Sequence, residues 1–92
     1  MLETEFILQW RIGASTAAFI SKAAAKFTSE IEIQCADKKA NAKVIMEIML
    51  LPEDSRVGLT PGSRIKLAID GPDDAAAMAA LSELFHNSDP PV

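Results

Sequence analysis

Thr4-Glu5-Phe6-Ile7-Leu8-Gln9-Trp10 alternates, and the stretch after it does not. Phe6, Leu8 and Trp10 fall on one side of a period-two pattern. Glu5, Ile7 and Gln9 fall on the other, so the segment is predicted to be a half-buried strand. Gly13 and Ala14 break the alternation. Beyond them Ala17, Ile20, Ala24 and Phe27 recur at helical spacing, with Lys22 and Lys26 off that stripe. The many alanines favour helix and allow a close approach to a sheet. Ser15 or Thr16 can cap this helix by accepting a backbone N–H.

Working outward, residues 29–35 alternate again, with Ile31, Ile33 and Cys35 inward and Glu30, Glu32 and Gln34 outward. Ala36-Asp37-Lys38-Lys39 is expected to form a hairpin turn, followed by a short strand from Ala40 to Lys43. In Val44-Ile45-Met46-Glu47-Ile48-Met49-Leu50-Leu51 all residues but Glu47 are apolar. Periodicity alone does not separate helix from strand there. Thr60-Pro61-Gly62 carries the type II signature, Pro at i+1 and Gly at i+2. Arg64 to Asp70 alternates as a strand with Ile65, Leu67 and Ile69 inward. Gly71-Pro72-Asp73-Asp74 is a helix start, since Pro suits the first turn and acidic residues complement the macrodipole. Ala77, Ala80, Leu81 and Leu84 are expected as the buried stripe of that helix. Residues 87–92, with Pro90-Pro91, cannot continue it and are expected to be a frayed or extended tail.

A chain of 92 residues is the size of one domain, 1–92. Hydrophobic residues make up 49%, enough for a core without disulfides, and Tyr is absent, so that core is aliphatic and alanine-rich. Cys35 is the only cysteine, which rules out an intrachain disulfide and a cysteine metal cage. The net charge of −4 argues against nucleic acid as a partner, because phosphate contacts need clustered Lys and Arg. No apolar run reaches the length of a membrane span, so no membrane insertion is expected. The acidic start Met1-Leu2-Glu3-Thr4-Glu5 lacks the basic lead of a secretory signal. These features point to the cytoplasm. No residue cluster calls for a cofactor, and no triad, metal set or Gly-rich nucleotide loop signals an enzyme.

The segment Ile12-Gly13-Ala14-Ser15-Thr16-Ala17-Ala18 resembles the active-centre segment of the HPr family, the histidine-containing phosphocarriers of the bacterial sugar phosphotransferase system. Four further strings resemble that family in the same order: Phe27-Thr28-Ser29-Glu30-Ile31, Asp37-Lys38-Lys39-Ala40-Asn41-Ala42-Lys43, Gly58-Leu59-Thr60-Pro61-Gly62 and Asp70-Gly71-Pro72-Asp73-Asp74-Ala75. The resemblance spans roughly residues 4–85. It implies that 44–51 forms a short helix, giving the order β-α-β-β-α-β-α. The expected fold is then an α+β two-layer sandwich, a four-stranded, mostly antiparallel sheet with three helices on one face.

The resemblance also shows what is missing. Gly13 occupies the family's phospho-His position, Ser15 its Arg and Thr16 its Pro. A phosphocarrier needs a titratable lone pair, which glycine lacks. Val44 falls on the family's regulatory serine and cannot accept phosphate. Residues 52–57 look like an insertion. Family members meet enzyme I and sugar-specific partners through apolar residues of the second helix ringed by basic ones. Val44, Ile45 and Met46 keep the apolar part and Lys22 part of the ring, whereas Ala25 and Glu47 hold positions that are often basic.

Two candidate sites follow. Gly13, Ala14, Ser15 and Thr16 open a helix whose free N–H groups can attract an anion, although every helix start offers such groups. Ser15 or Thr16 could accept phosphate, but no base is available in this segment. Ser15, Lys22, Val44, Ile45, Met46 and Met49 are the candidate partner-binding set. An almost wholly apolar short helix carries more hydrophobic surface than one sheet face can cover. Either the segment 52–57 folds over it, or a protein partner does: a phosphotransferase component, a transcriptional regulator or a second copy in a homodimer. His86, the sole histidine, sits where a cation complements a helix C-terminus. Cys35 shares its face with Ile31 and Ile33 and is read as core. Trp10 either lines the surface beside Gly13 or closes the core edge. The expected function is a regulatory or protein-binding relative of the phosphocarriers that carries no phosphohistidine. The alternative is a phosphate binder or Ser/Thr phosphoacceptor at the start of the first helix.

Overall fold

The computed structural model describes residues 1–52 and 58–87. The elements run β1 (Leu2–Ile7), α1 (Ala14–Ala24), β2 (Glu30–Cys35), β3 (Lys38–Asn41), α2 (Ile45–Met49), β4 (Arg64–Asp70) and α3 (Asp74–His86). The sheet order is β1-β4-β2-β3, and every neighbouring pair is antiparallel. The last strand in sequence therefore lies between the first two, and this α+β sandwich matches the expected element order and layering.

The alternation of β4 explains its central place. Ile65, Leu67 and Ile69 are fully buried, flanked in register by Phe6 and Thr4 on β1 and by Ile31, Ile33 and Cys35 on β2. All three helices cover that one face. Small residues set their approach: Ala17 and Ala24 of α1 and Ala77 of α3 have no exposed surface. The opposite face is charged, and Lys66 Nζ meets Glu3 Oε2 across the β1–β4 pair at 3.2 Å.

Several boundaries differ from the sequence expectation. The alternation through Trp10 persists in burial, with Leu8, Trp10 and Ile12 all inside, but β1 ends at Ile7. Its partner β4 begins at Arg64, opposite Ile7, and upstream of it the chain reverses in the expected type II turn, Gly62 at φ 94° with Ser63 N–H on Thr60 O. Beyond the ladder Leu8 stays hydrogen-bonded, to Ser63 and Gly62. The hairpin between β2 and β3 turns on Ala36 and Asp37 alone, so Cys35 already pairs with Lys38 and the strand runs 38–41, not 40–43. Ala36 takes φ 56°, a conformation usually left to glycine.

On α3 the buried stripe is Ala77, Leu81 and Phe85, whereas Ala80 is exposed and Leu84 half-buried. Phe85 takes the inward place because its ring stacks on Phe6 at 5.5 Å and on Trp10 at 5.8 Å. The expected insertion falls almost wholly in 53–57, and all of the expected tail after Asn87 in 88–92. Both lie outside the described residues.

Candidate functional site

The start of α1 is held from two sides. Ile12 is buried, and its N–H and C=O pair with the C=O and N–H of Leu59 at 2.8 and 3.2 Å. Gly58 lets this happen: at φ 80° it has no side chain, and a β-carbon there would collide with the Ile12 carbonyl oxygen. On the other side Trp10 is buried against Phe85, and its indole Nε1–H donates to the Asn87 carbonyl at 2.9 Å. Gln9 Nε2 donates to the His86 carbonyl at 3.3 Å. Neighbouring side chains thus cap the carbonyls that α3 leaves without helical partners. Trp10 accordingly closes the core edge.

Gly13 is the N-cap of α1, with φ −102° and ψ −162°, and its carbonyl accepts the Ala17 N–H at 2.9 Å. Neither Ser15 nor Thr16 caps the helix, which begins one residue ahead of Ser15. Ser15 is exposed and Thr16 buried. A β-carbon on Gly13 would lie 3.2 Å from Nη2 of Arg11. The guanidinium therefore occupies the neighbourhood into which a larger residue 13 would project. Arg11 was not among the candidates, because nothing in its spacing marks a side chain that folds back two residues along the chain.

The second set is fixed by hydrogen bonds around Lys43. Ser21 on α1 donates its hydroxyl to the Lys43 carbonyl at 2.8 Å, and Lys43 Nζ donates to the Phe27 carbonyl at 2.7 Å. The Glu47 carboxylate accepts the Asn41 N–H at 3.0 Å, tying α2 to the end of β3. Val44 is the N-cap of α2. Ile48 is buried and Met49 half-buried against the core, so Met49 contributes less open surface than expected. Met46 and Leu50 are the open crest, 66% and 61% exposed, with Ile45 and Val44 beside them. Leu50 was missed because it lies at the end of an apolar run in which no position stood out. Lys22 is exposed on α1.

The other marked residues lie on different elements. The His86 ring rests on Phe6 at the end of α3, with centroids 4.8 Å apart. Cys35 is a free, half-buried thiol packed on the core. At the start of α3, the Asp73 carboxylate accepts hydrogen bonds from the Ser29 hydroxyl, the Thr28 N–H and the Ser29 N–H. The Ser29 hydroxyl bond first, then these backbone donors, hold its pKa down at about 2. Among the described residues, no helix is long and apolar enough to cross a membrane, and no three metal-capable side chains converge.

The strand-loop-helix geometry around Gly13 has counterparts in known proteins. The family described as the PTS HPr component phosphorylation site matches residues 4–87. The chain belongs to the HPr family. A phosphocarrier protein HPr of Xylella fastidiosa is 38% identical over 95% of this chain and 93% of its own length. An HPr-like protein Crh of Halalkalibacterium halodurans is 40% identical over 86% of this chain and 87% of its own. Among solved structures, HPr-C-His from Thermoanaerobacter tengcongensis superposes with a TM-score of 0.80 at 32% identity, covering 96% of this chain and 94% of that one. HPr proteins are phosphocarriers of the phosphotransferase system and not enzymes. Dimers also occur among the solved neighbours: an HPr dimer from Thermoanaerobacter tengcongensis and a domain-swapped Crh dimer from Bacillus subtilis.

Proposed function

We propose that this HPr-family chain carries no phosphohistidine and acts as a regulatory, protein-binding relative of the phosphocarriers, working in the cytoplasm. The observation that carries the reading is Gly13 at the N-cap of α1, where the family resemblance puts the phospho-accepting histidine. Phosphoryl transfer through nitrogen needs an imidazole lone pair, and Gly13 offers none. The sole histidine lies at the other end of the chain, its ring against Phe6. What the chain retains is the docking part of the surface. Val44, Ile45, Met46 and Leu50 present apolar side chains that the helical layer leaves uncovered, beside Ser15 and Lys22 of α1.

Incubation with phosphoenolpyruvate and enzyme I of the same source is the test. The expected result is no acid-labile phosphate on the protein. Acid-labile phosphate that disappears in His86→Ala would overturn the reading, because it would make His86 the carrier.

A second reading rests on Ser15. Its hydroxyl is exposed in the first turn of α1 and is not its cap. It suits a phosphate ester or an anion held by the helix N-terminus. Intact-mass measurement of protein from its native host, compared with Ser15→Ala, tests the ester. Absence of a phosphorylated species would remove it. Phosphate titration followed at the Ala14 and Ser15 amide resonances tests the anion, and unmoved resonances would remove that variant.

A further inference from the structure

The sheet has two edges, β1 and β3, and they differ in what they leave open. Along a strand, successive residues turn their N–H and C=O groups to opposite sides. On β3 the Ala42 N–H, just past the strand end, bonds back to Ile31 of β2, so Lys39 and Asn41 are the strand residues that face away from the sheet. Asn41 is already used: its N–H donates to the Glu47 carboxylate and its C=O accepts the Val44 N–H. On β1 the Leu8 N–H bonds to Ser63, on the β4 side. Leu2, Thr4 and Phe6 therefore face β4, whereas Glu3, Glu5 and Ile7 turn their backbone groups outward. Among the described residues those outward groups have no partner. A run of alternate unpaired N–H and C=O groups is a template for another strand.

The side chains decide which strand it suits. Glu3, Glu5 and Ile7 stand on the sheet face away from the helices, in register with Ala68, Lys66 and Arg64 of β4. Lys66 pairs with Glu3, so Glu5 has no ion pair among the described residues. Ile7 is 53% exposed, and Leu2 is exposed on the helix side of the same edge. Two carboxylates repel an acidic strand and would be desolvated without compensation by an apolar one. A strand with cations at the facing positions matches them.

We propose that the β1 edge binds an extended segment of another protein, antiparallel to Leu2–Ile7. That segment carries Lys or Arg opposite Glu3 and Glu5 and apolar residues opposite Ile7 and Leu2. Its backbone hydrogen-bonds to Glu3, Glu5 and Ile7, and its alternation puts the cations on the open face. The site goes beyond the reading above: it lies at the sheet edge opposite β3, to which α2 is tied.

A fluorescent six-residue peptide, leucine-valine-lysine-valine-lysine-valine, is the probe, followed by anisotropy. The control has the same composition with its two lysines adjacent, which puts them on opposite faces of a strand. The alternating peptide should bind at least about tenfold more tightly than the control. It should shift the amide resonances of Glu3, Glu5 and Ile7. Glu5→Pro removes one outward N–H without touching the β4 ladder, and should weaken binding by about tenfold or more. Glu3→Lys with Glu5→Lys should reject the lysine peptide and accept one with glutamates in place of the lysines. Circular dichroism checks that each variant folds, and the double charge reversal keeps the test open if Glu5→Pro does not. No binding up to millimolar peptide, equal binding of the control, a folded Glu5→Pro of unchanged affinity, or a folded double variant that keeps the lysine preference would overturn the proposal. The phosphotransfer assay is independent of each of these outcomes.

Discussion

The indole of Trp10 donates its Nε1–H to the carbonyl of Asn87 at 2.9 Å, joining residues 77 positions apart. The contact does two things at once. It satisfies a polar atom of a buried ring, and it fastens the end of α3 beside the start of α1. The Phe85 ring between Trp10 and Phe6 completes an aromatic stack, with centroid spacings of 5.8 and 5.5 Å. Trp10→Phe should cost about 1 kcal/mol, the net worth of one such bond plus a little packing. Trp10→Ala should cost about 3–5 kcal/mol, because it also leaves a cavity beside Phe85. Urea unfolding followed by circular dichroism measures both, as the chain has one tryptophan and these variants lose its fluorescence.

Asp73 ties α3 to the start of β2, and its pKa is lowered to about 2, first by the Ser29 hydroxyl and then by the neighbouring backbone N–H groups. Its folded value lies below the unfolded one near 3.8. The unfolded state therefore binds the proton more readily, and the contribution is complete above about pH 4 and lost as pH falls towards 2. Denaturation midpoints measured across that window should fall with acidification, and Asp73→Asn should flatten part of the slope. Ser29→Ala should raise the Asp73 pKa, read directly from the carboxyl carbon resonance.

The hairpin between β2 and β3 turns through Ala36 at φ 56°. An L residue in the left-handed region is strained by about 1–2 kcal/mol, and glycine is not. Glycine gives back part of that gain through its freer unfolded state. Ala36→Gly should therefore stabilise the protein by about 0.5–1 kcal/mol in thermal or urea unfolding. A loss of stability would mean that the Ala36 methyl makes a contact worth more than the strain.

How far the fold was legible depends on where the pattern had a partner. Arg64–Asp70 was readable to the residue because β4 is central and both neighbours enforce its alternation. The same alternation overran in β1, since burial of Leu8 and Trp10 continues after the ladder stops. Phe85 was missed because its burial depends on rings from residues 6 and 10, which helical spacing within α3 does not reveal. At the site, the helix starts beside Gly13 and Val44 were legible in the sequence, whereas the fold-back of Arg11 and the exposure of Leu50 needed three dimensions. The Ser29–Asp73 bond was invisible for the same reason: 44 residues separate its ends.

The glycines at the α1 start separate a backbone requirement from a chemical one. Gly58 has φ 80°, and a β-carbon there would strike the Ile12 carbonyl oxygen. Gly58→Ala should cost at least about 2 kcal/mol, combining strain with the broken pairing to Ile12. Gly13 is different. Its φ of −102° and ψ of −162° are open to any residue, and an added β-carbon meets the Arg11 guanidinium, at 3.2 Å from Nη2, and not backbone. Gly13→Ala should therefore be near neutral, within about 1 kcal/mol either way, because restriction of the unfolded chain is offset by alanine's poorer standing at an N-cap. If thermal unfolding shows Gly13→Ala and Gly58→Ala equally damaging, the backbone at 13 is under a constraint that its dihedral angles do not reveal. If they separate as expected, nothing in the local fold demands glycine at this position. Gly13→His should then fold normally, which allows the phosphoenolpyruvate assay to ask whether an imidazole alone is enough to restore a carrier.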